Sequence, residues 1–235
     1  YRAMANRART FLREKFVAED GMLLPVFRDM QTPALFALKL GLLEGDAVAR
    51  TKAALLQNFA AHGGCLQTGF LGTSILMQTL TRNGMADIAW DLLFQRKNPS
   101  WLYSVDNGAT TVWERWNSYT LENGMGPKDM NSFNHYAYGC VCQWLWETAA
   151  GIASDVTCPG FEHIVMSPVP DRRLGHLDAE YKSVNGVIKS SWHFDGDTWV
   201  WTFTVPRGTV ATVTLPGETD TEDYHAGTYI LNKVL

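Results

Sequence analysis

In the first 150 residues apolar side chains recur three and four positions apart, the spacing of helices with one buried face. Ala3, Phe11 and Phe16 stand among Arg and Lys in a first amphipathic helix. Pro33 opens a second, PALFALKLGLL, with Thr32 as its N-cap and Pro33 at the first helical position. Gly45 and Asp46 break the chain before AVARTKAALLQNFAAH, which closes at Gly63-Gly64. Thr73 to Leu80 and Met85 to Phe94 form another pair across Asn83-Gly84, and Pro99 ends it. Residues 130–150, with NSFNHYAYGCVCQWLWETAA, are expected as one long apolar and aromatic helix. Short connections of Gly, Asn and Pro between helices are the pattern of antiparallel helical hairpins. Two connections are longer, 64–72 and 98–129. Sites concentrate in such long connections on a helical scaffold.

After Gly151 the period changes. HLDAEYKSV, GVIKSSWHF, TWVWTFTVP, TVATVTLPG and AGTYIL alternate apolar and polar residues, as half-buried strands do. Asn185-Gly186, Asp195-Gly196-Asp197, Pro206-Arg207-Gly208 and Pro216-Gly217 separate them as turns. The fold class expected is mainly α followed by all-β: a helical domain over residues 1–151 and an antiparallel β-sandwich over 152–235.

Composition narrows the function classes. Of 235 residues, 46% are hydrophobic and 19% charged, which fits a globular chain rather than a disordered one. The net charge of −4, with signs interspersed, gives no electrostatic reason to expect nucleic acid or an anionic membrane as partner. No run approaches the roughly 20 apolar residues of a membrane span. Cys65, Cys140, Cys142 and Cys158 form no Cys-x-x-Cys pair and have no His at zinc-like spacing, so they are expected as buried thiols. No metal and no cofactor is expected. The chain opens at Tyr1 directly into YRAMANRARTFLREKFVA, without an initiator Met or a targeting segment. It is expected to be a segment of something longer, and compartment and oligomeric state are left open.

The candidate chemistry gathers in GATTVWERWNSY, residues 108–119, where Glu114 stands among Trp113, Arg115, Trp116 and Tyr119. A carboxylate among aromatics suits sugar chemistry, which needs a proton-transfer group and flat faces for the rings. Glu114 is a candidate general base activating water; alternatively it is a structural carboxylate paired with Arg115 or a neighbouring amide. His135, beside Asn134 and Tyr136, could donate to a sugar hydroxyl, although a His on an apolar helix is commonly a packing residue. Trp101 and Tyr103 in a loop are candidate sugar platforms. Gly69 and Gly72 around Phe70 suit either a loop approaching a ligand or the plain start of a helix. The chain has no GxSxG, no GxxxxGK and no HExxH, which disfavours a serine hydrolase, a kinase and a zinc protease.

LQTGFLGT (66–73), PSWLY (99–103), GATTVWERWNSY (108–119) and MNSFNHYAYG (130–139) together resemble, in order and spacing, the bacterial α-L-rhamnosidases of glycoside hydrolase family 78. PGFEHIVMSPVP (159–170) and the alternating tail are similar to that family's C-terminal β-domain. The resemblance implies part of an (α/α)6 barrel followed by a β-sandwich, and inverting hydrolysis of terminal α-L-rhamnose from a small rhamnoside or oligosaccharide. It places Glu114 on the family's general base and His135 on a substrate-contacting His, with Trp113, Trp116 and Trp101 in motifs around the pocket. It also implies an acid in an upstream Asp-x-x-Glu-Arg type motif, which this chain lacks, and about twelve helices, of which six or seven are counted here. The alternatives are a non-catalytic carbohydrate-binding segment, or another (α/α)6 glycosidase or lyase.

Overall fold

Six helices occupy the first 106 residues of the computed structural model, which describes residues 1–235: α1 (Arg2–Phe16), α2 (Gln31–Leu40), α3 (Asp46–Ala61), α4 (Phe70–Arg82), α5 (Ala86–Phe94) and α6 (Trp101–Asp106). The chain divides into two units, Tyr1–Val141 and Cys142–Leu235. In the first, α4 contributes Ile75, Leu76, Met77 and Leu80 to the core, while Leu35 of α2 and Ala89 and Trp90 of α5 are fully buried. Leu12, Phe16, Leu23, Phe27, Phe36 and Leu40 line an open apolar groove of about 390 Å³.

Four helix starts differ from the periodicity, and the first is α4, which begins at Phe70 and not at Thr73. α2 begins two residues before Pro33, with Met30 and not Thr32 at its N-cap. The cause is tertiary. Gln31 is buried, donates to Asn58 Oδ1 (2.9 Å) and to the Cys65 carbonyl (3.2 Å), and accepts from the Gln67 amide (2.6 Å). Trp101 and Tyr103 sit on the short helix α6, not in a loop, because the Ser100 side chain caps it by accepting from the Tyr103 amide. The long helix expected over 130–150 begins only at Ala137. Residues 130–136 are irregular and give part of their backbone bonding to residues 112–114. A 3₁₀ turn (Ala137–Cys140), an α turn α7 (Val141–Trp144) and a π turn (Leu145–Ala149) then follow one another. Two short strands, β1 (Tyr119–Thr120) and β2 (Gly124–Met125), form a hairpin in the connection after α6.

The second unit holds two four-stranded sheets. One has the order β10-β7-β6-β5, from β5 (His176–Ser183), β6 (Gly186–Asp195), β7 (Thr198–Val205) and β10 (Gly227–Val234). The other has the order β3-β4-β8-β9, from β3 (Ile152–Ser154), β4 (His163–Met166), β8 (Val210–Val213) and β9 (Glu222–Tyr224). The expectation of a wholly antiparallel sandwich is corrected at one pair: β4 and β8 are parallel. The chain between them runs through β5, β6 and β7, a connection long enough to bring it back in the same direction. Alternation is clean in β7, where Trp199, Trp201, Phe203 and Val205 all point into the core with Ile164, Met166, Ile188 and Trp192. The Trp201 indole donates to Ser190 Oγ (2.9 Å), Ser190 donates to the Ala150 carbonyl (2.6 Å), and the Trp192 indole donates to the Ala149 carbonyl (2.8 Å). Across the second sheet His163 joins Asp155 Oδ2 (2.8 Å) to Thr212 Oγ1 (2.9 Å). The Asp155 carboxyl is pulled down to about 2, first by the Thr157 amide and then by His163. The thiols are corrected as well: Cys65 is buried, Cys140 and Cys158 are half-buried and Cys142 is exposed.

One close approach in the first unit bears on the site. Gly69 and Gly72 mark the start of α4: Gly69 is its N-cap and Gly72 lies in its first turn. A Cβ at Gly72 would stand 2.3 Å from Thr32 Oγ1 and 2.9 Å from Thr68 Cβ. Thr68 is buried and bonded to Thr73 Oγ1 at 2.7 Å, so it cannot swing aside freely. Alanine in a helix gains about 1 kcal/mol over glycine, whereas overpacking a close-packed site costs roughly 1–3 kcal/mol. Gly72→Ala is therefore expected to lower the melting midpoint by a few degrees; a rise on thermal denaturation would show that α2 and the 66–69 segment yield to the methyl group.

Candidate active site

Two segments far apart in sequence are tied together by their backbones. The Glu114 amide donates to the Ser132 carbonyl (2.9 Å), and the Ser132 amide donates back to Glu114 Oε2 (2.7 Å). The His135 amide donates to the Val112 carbonyl (2.8 Å), and the Thr111 hydroxyl donates to the Phe133 carbonyl. Glu114 and His135, 21 positions apart, thus belong to one local assembly. The Glu114 carboxylate makes no ion pair with Arg115; its partner is the Ser132 amide, which holds one oxygen and leaves Oε1 for another donor.

His135 Nδ1 accepts from the Ala137 amide (3.2 Å). The neutral ring then carries its proton on Nε2, which is placed to donate. The imidazole is held between rings, stacked on Phe70 at 4.9 Å and on Tyr136 at 5.3 Å. It lies just ahead of the 3₁₀ turn rather than on a helix.

The tryptophans differ in how deeply they are buried. Trp113 is almost fully buried, edge-on to Phe133 (5.2 Å) and Tyr119 (6.4 Å). Trp116 stacks on Tyr138 at 3.9 Å, meets Trp101 edge-on at 5.5 Å and donates its indole N–H to the Thr68 carbonyl (2.9 Å). The Trp101 indole donates to the Tyr138 carbonyl (2.8 Å). These bonds fix the two half-buried indoles in place. Two hollows share Trp116, Tyr138 and Arg115 as a common wall. One, of about 280 Å³, is completed by Trp101, Trp113 and residues 109–112; the other, of about 390 Å³, by residues 66–69, Asn98, Pro99 and Asn117. Trp113 and Arg115, on either side of Glu114, face the first hollow while the carboxylate turns toward Ser132. Glu114 and His135 are half-buried and line neither hollow.

Sequence reasoning placed Phe70 and Thr68 in a glycine-flanked motif and Tyr138 in the motif of His135 but gave none of them a role, yet they do much of this positioning. Tyr138 is buried, and burial pushes its phenol up, with Arg115 pulling the other way. Its signal was the fourth motif, whose Ala-Tyr-Gly follows directly on Asn-His-Tyr.

Comparison with known proteins gives one consistent result. Residues 1–149 match the bacterial alpha-L-rhamnosidase 6 hairpin glycosidase domain, and residues 151–229 match the bacterial alpha-L-rhamnosidase C-terminal domain. An alpha-L-rhamnosidase of Alteromonas sp. (strain LOR) is 42% identical over 182 residues, covering 76% of this chain and 19% of that protein. One of Streptomyces avermitilis is 36% identical over 232 residues, covering 98% of this chain and 22% of that protein. The chain thus spans about a fifth of the length of these relatives. The crystal structure of Streptomyces avermitilis alpha-L-rhamnosidase complexed with L-rhamnose superposes with a TM-score of 0.88 at 31% identity, covering 97% of this chain and 23% of that one. The crystal structure of the Aspergillus terreus enzyme gives 0.88 at 30% identity, covering 95% and 26%. The helices are therefore part of a six-hairpin, (α/α)6 glycosidase domain, the strands form the C-terminal β-domain that accompanies it, and the chain belongs to the bacterial alpha-L-rhamnosidase family.

Proposed function

We propose that this chain forms part of an α-L-rhamnosidase that releases terminal α-L-rhamnose from a rhamnoside or a rhamnose-containing oligosaccharide with inversion, and that Glu114 is its general base. The observation that carries this is the anchored carboxylate: Ser132 fixes one oxygen of Glu114 on the same pair of segments that presents His135. A general base must hold its acceptor oxygen at a fixed place to take a proton from water as the water attacks. Glu114 Oε1 takes that proton, and the water oxygen bonds to the anomeric carbon on the face opposite the departing group. His135, donating from Nε2, binds a sugar hydroxyl. Trp116 and Trp101 offer apolar faces beside it, and Trp113 supports the loop from below. The names of the relatives, one of them solved with L-rhamnose, supply the substrate class.

Inversion takes a second carboxyl roughly 6.5–9.5 Å from the first, leaving room for the water. Neither hollow beside Glu114 is lined by another carboxylate. We place the acid outside these residues, in a protein whose relatives are several times longer. Without it the leaving oxygen departs unprotonated, and loss of general acid catalysis costs typically about 10²–10⁴-fold. A non-catalytic sugar-binding role is favoured by the same single carboxylate.

Residues 1–235 by themselves are expected to give no detectable turnover of an aryl α-L-rhamnoside; clear release of the aryl group would place both carboxyls within this chain. If calorimetry with the full-length protein shows L-rhamnose binding and the assay shows no turnover, the sugar-binding role stands instead. In the full-length protein Glu114→Gln should lower kcat/KM by about 10²–10⁴-fold with the melting midpoint nearly unchanged. Retained activity, or a midpoint several degrees lower, would make Glu114 a structural carboxylate. His135→Ala should raise KM for rhamnosides as well as lower kcat, and an unchanged KM would leave His135 as a packing residue between Phe70 and Tyr136.

A further inference from the structure

The β-unit carries its own hollow, built from residues that the hydrolytic site does not use. It measures about 310 Å³, with Trp146, Phe161 and Tyr181 as its aromatic faces and Gln143, Glu147 and Ser154 among its polar ones. Trp146 and Tyr181 are 39% and 38% exposed, unusual for rings of this size with a β-sandwich core at hand. Phe161 meets Tyr181 at 4.6 Å with the rings tilted by 41°, and Trp146 meets Tyr181 edge-on at 6.1 Å. The three rings form a stepped apolar surface open on one side.

The backbone is distorted on both sides of this surface. Trp146 and Glu147 lie in the π turn Leu145–Ala149, closed by the Ala150 amide donating to the Leu145 carbonyl (2.8 Å). The π turn ends the helical run just ahead of β3. On the other side Phe161 has φ of 60°, a left-handed conformation that a bulky side chain rarely adopts. Along the rim Gln143 Nε2 donates to Glu147 Oε1 at 2.9 Å. The bond fixes both side chains and leaves Gln143 Oε1 and Glu147 Oε2 as acceptors.

The lining has no Lys, Arg or His and one carboxylate, which turns away phosphates, sulfates and uronic acids. What suits it is a neutral ring with an apolar C–H face for the aromatics and vicinal hydroxyls for the Gln143–Glu147 rim. A quaternary ammonium prefers rings that enclose it, and here Phe161 and Tyr181 are in contact with each other. We propose that this hollow is a second carbohydrate site, binding a pyranose ring of a neutral glycan independently of Glu114 and without cleaving it.

The test uses the full-length protein with Glu114→Gln to prevent turnover. The indole N–H signal of Trp146 is assigned by its loss in Trp146→Phe and followed by NMR. L-rhamnose, D-galactose, D-glucose and D-xylose are the probes, with tetramethylammonium and D-galacturonate as contrasts. At least one neutral sugar should shift the Trp146 signal saturably. Tyr181→Ala and Glu147→Ala should each weaken that binding about tenfold or more while the melting midpoint and turnover of a small aryl rhamnoside in the Glu114 background stay unchanged. No shift with any neutral sugar, a response to tetramethylammonium alone, or equal binding in both variants would overturn the proposal. If Tyr181→Ala melts early, Glu147→Ala, altered at the rim, decides it alone.

Discussion

Glu114 and Ser132 exchange two hydrogen bonds, one from each backbone amide, and the arrangement of the candidate site hangs on that exchange. A carboxylate on a loop is ordinarily free to rotate. Here one oxygen is committed, and the committed partner is itself backbone, so the loop cannot drift without breaking both bonds. The second tie, between His135 and Val112, fixes the register, so the pair is set by geometry that no single side chain controls. Around this tie the aromatic side chains act as struts. Trp116 reaches across to the Thr68 carbonyl, Trp101 to the Tyr138 carbonyl, and Phe70 supports the imidazole from α4. The helices position the site, but the site itself is built from connections between them.

That division explains what the sequence made visible. Helices α3 and α5 followed their periodicity, and β7 followed its alternation down to Trp199, Trp201 and Phe203, because each pattern is local and repeats several times. Four motifs in fixed order pointed to one neighbourhood, and Trp116, Trp101 and the 66–69 segment do meet there. Residues 130–136 could not be read in the same way. Phe133, His135 and Tyr136 have the apolar look of a helix start, but the backbone groups of Ser132, Phe133 and His135 bond to partners some twenty residues upstream, and no local pattern records that. The start of α2 was missed for a related reason. The side chain of Gln31 is worth burying only once Asn58, Cys65 and Gln67 have been brought around it. How deeply each tryptophan is buried was likewise not a property of spacing; Trp113 is almost fully buried and borders only the first hollow, while the half-buried Trp116 is a wall of both.

The β-unit uses a different logic. The three buried indoles of β6 and β7 are large apolar volumes with one donor each, and two of those donors are satisfied inside the core. Buried N–H groups are costly when unpaired, roughly 1–3 kcal/mol apiece, so the acceptors are as much a part of the core as the rings. For Trp201 the acceptor is Ser190, placed on the neighbouring strand. For Trp192 and for the Ser190 hydroxyl the acceptors are the Ala149 and Ala150 carbonyls, which close the preceding helical segment and otherwise have no strand to bond to.

Those two carbonyls decide where the β-unit can be cut away from the rest of the chain. A piece beginning at Ile152, where the first strand begins, would keep every strand and every aromatic of the core. It would also remove the acceptors of the Trp192 indole N–H and the Ser190 hydroxyl. A fragment that keeps both bonds must begin no later than Ala149, the last residue of the π turn, so the end of the helical run is inherited with the sandwich.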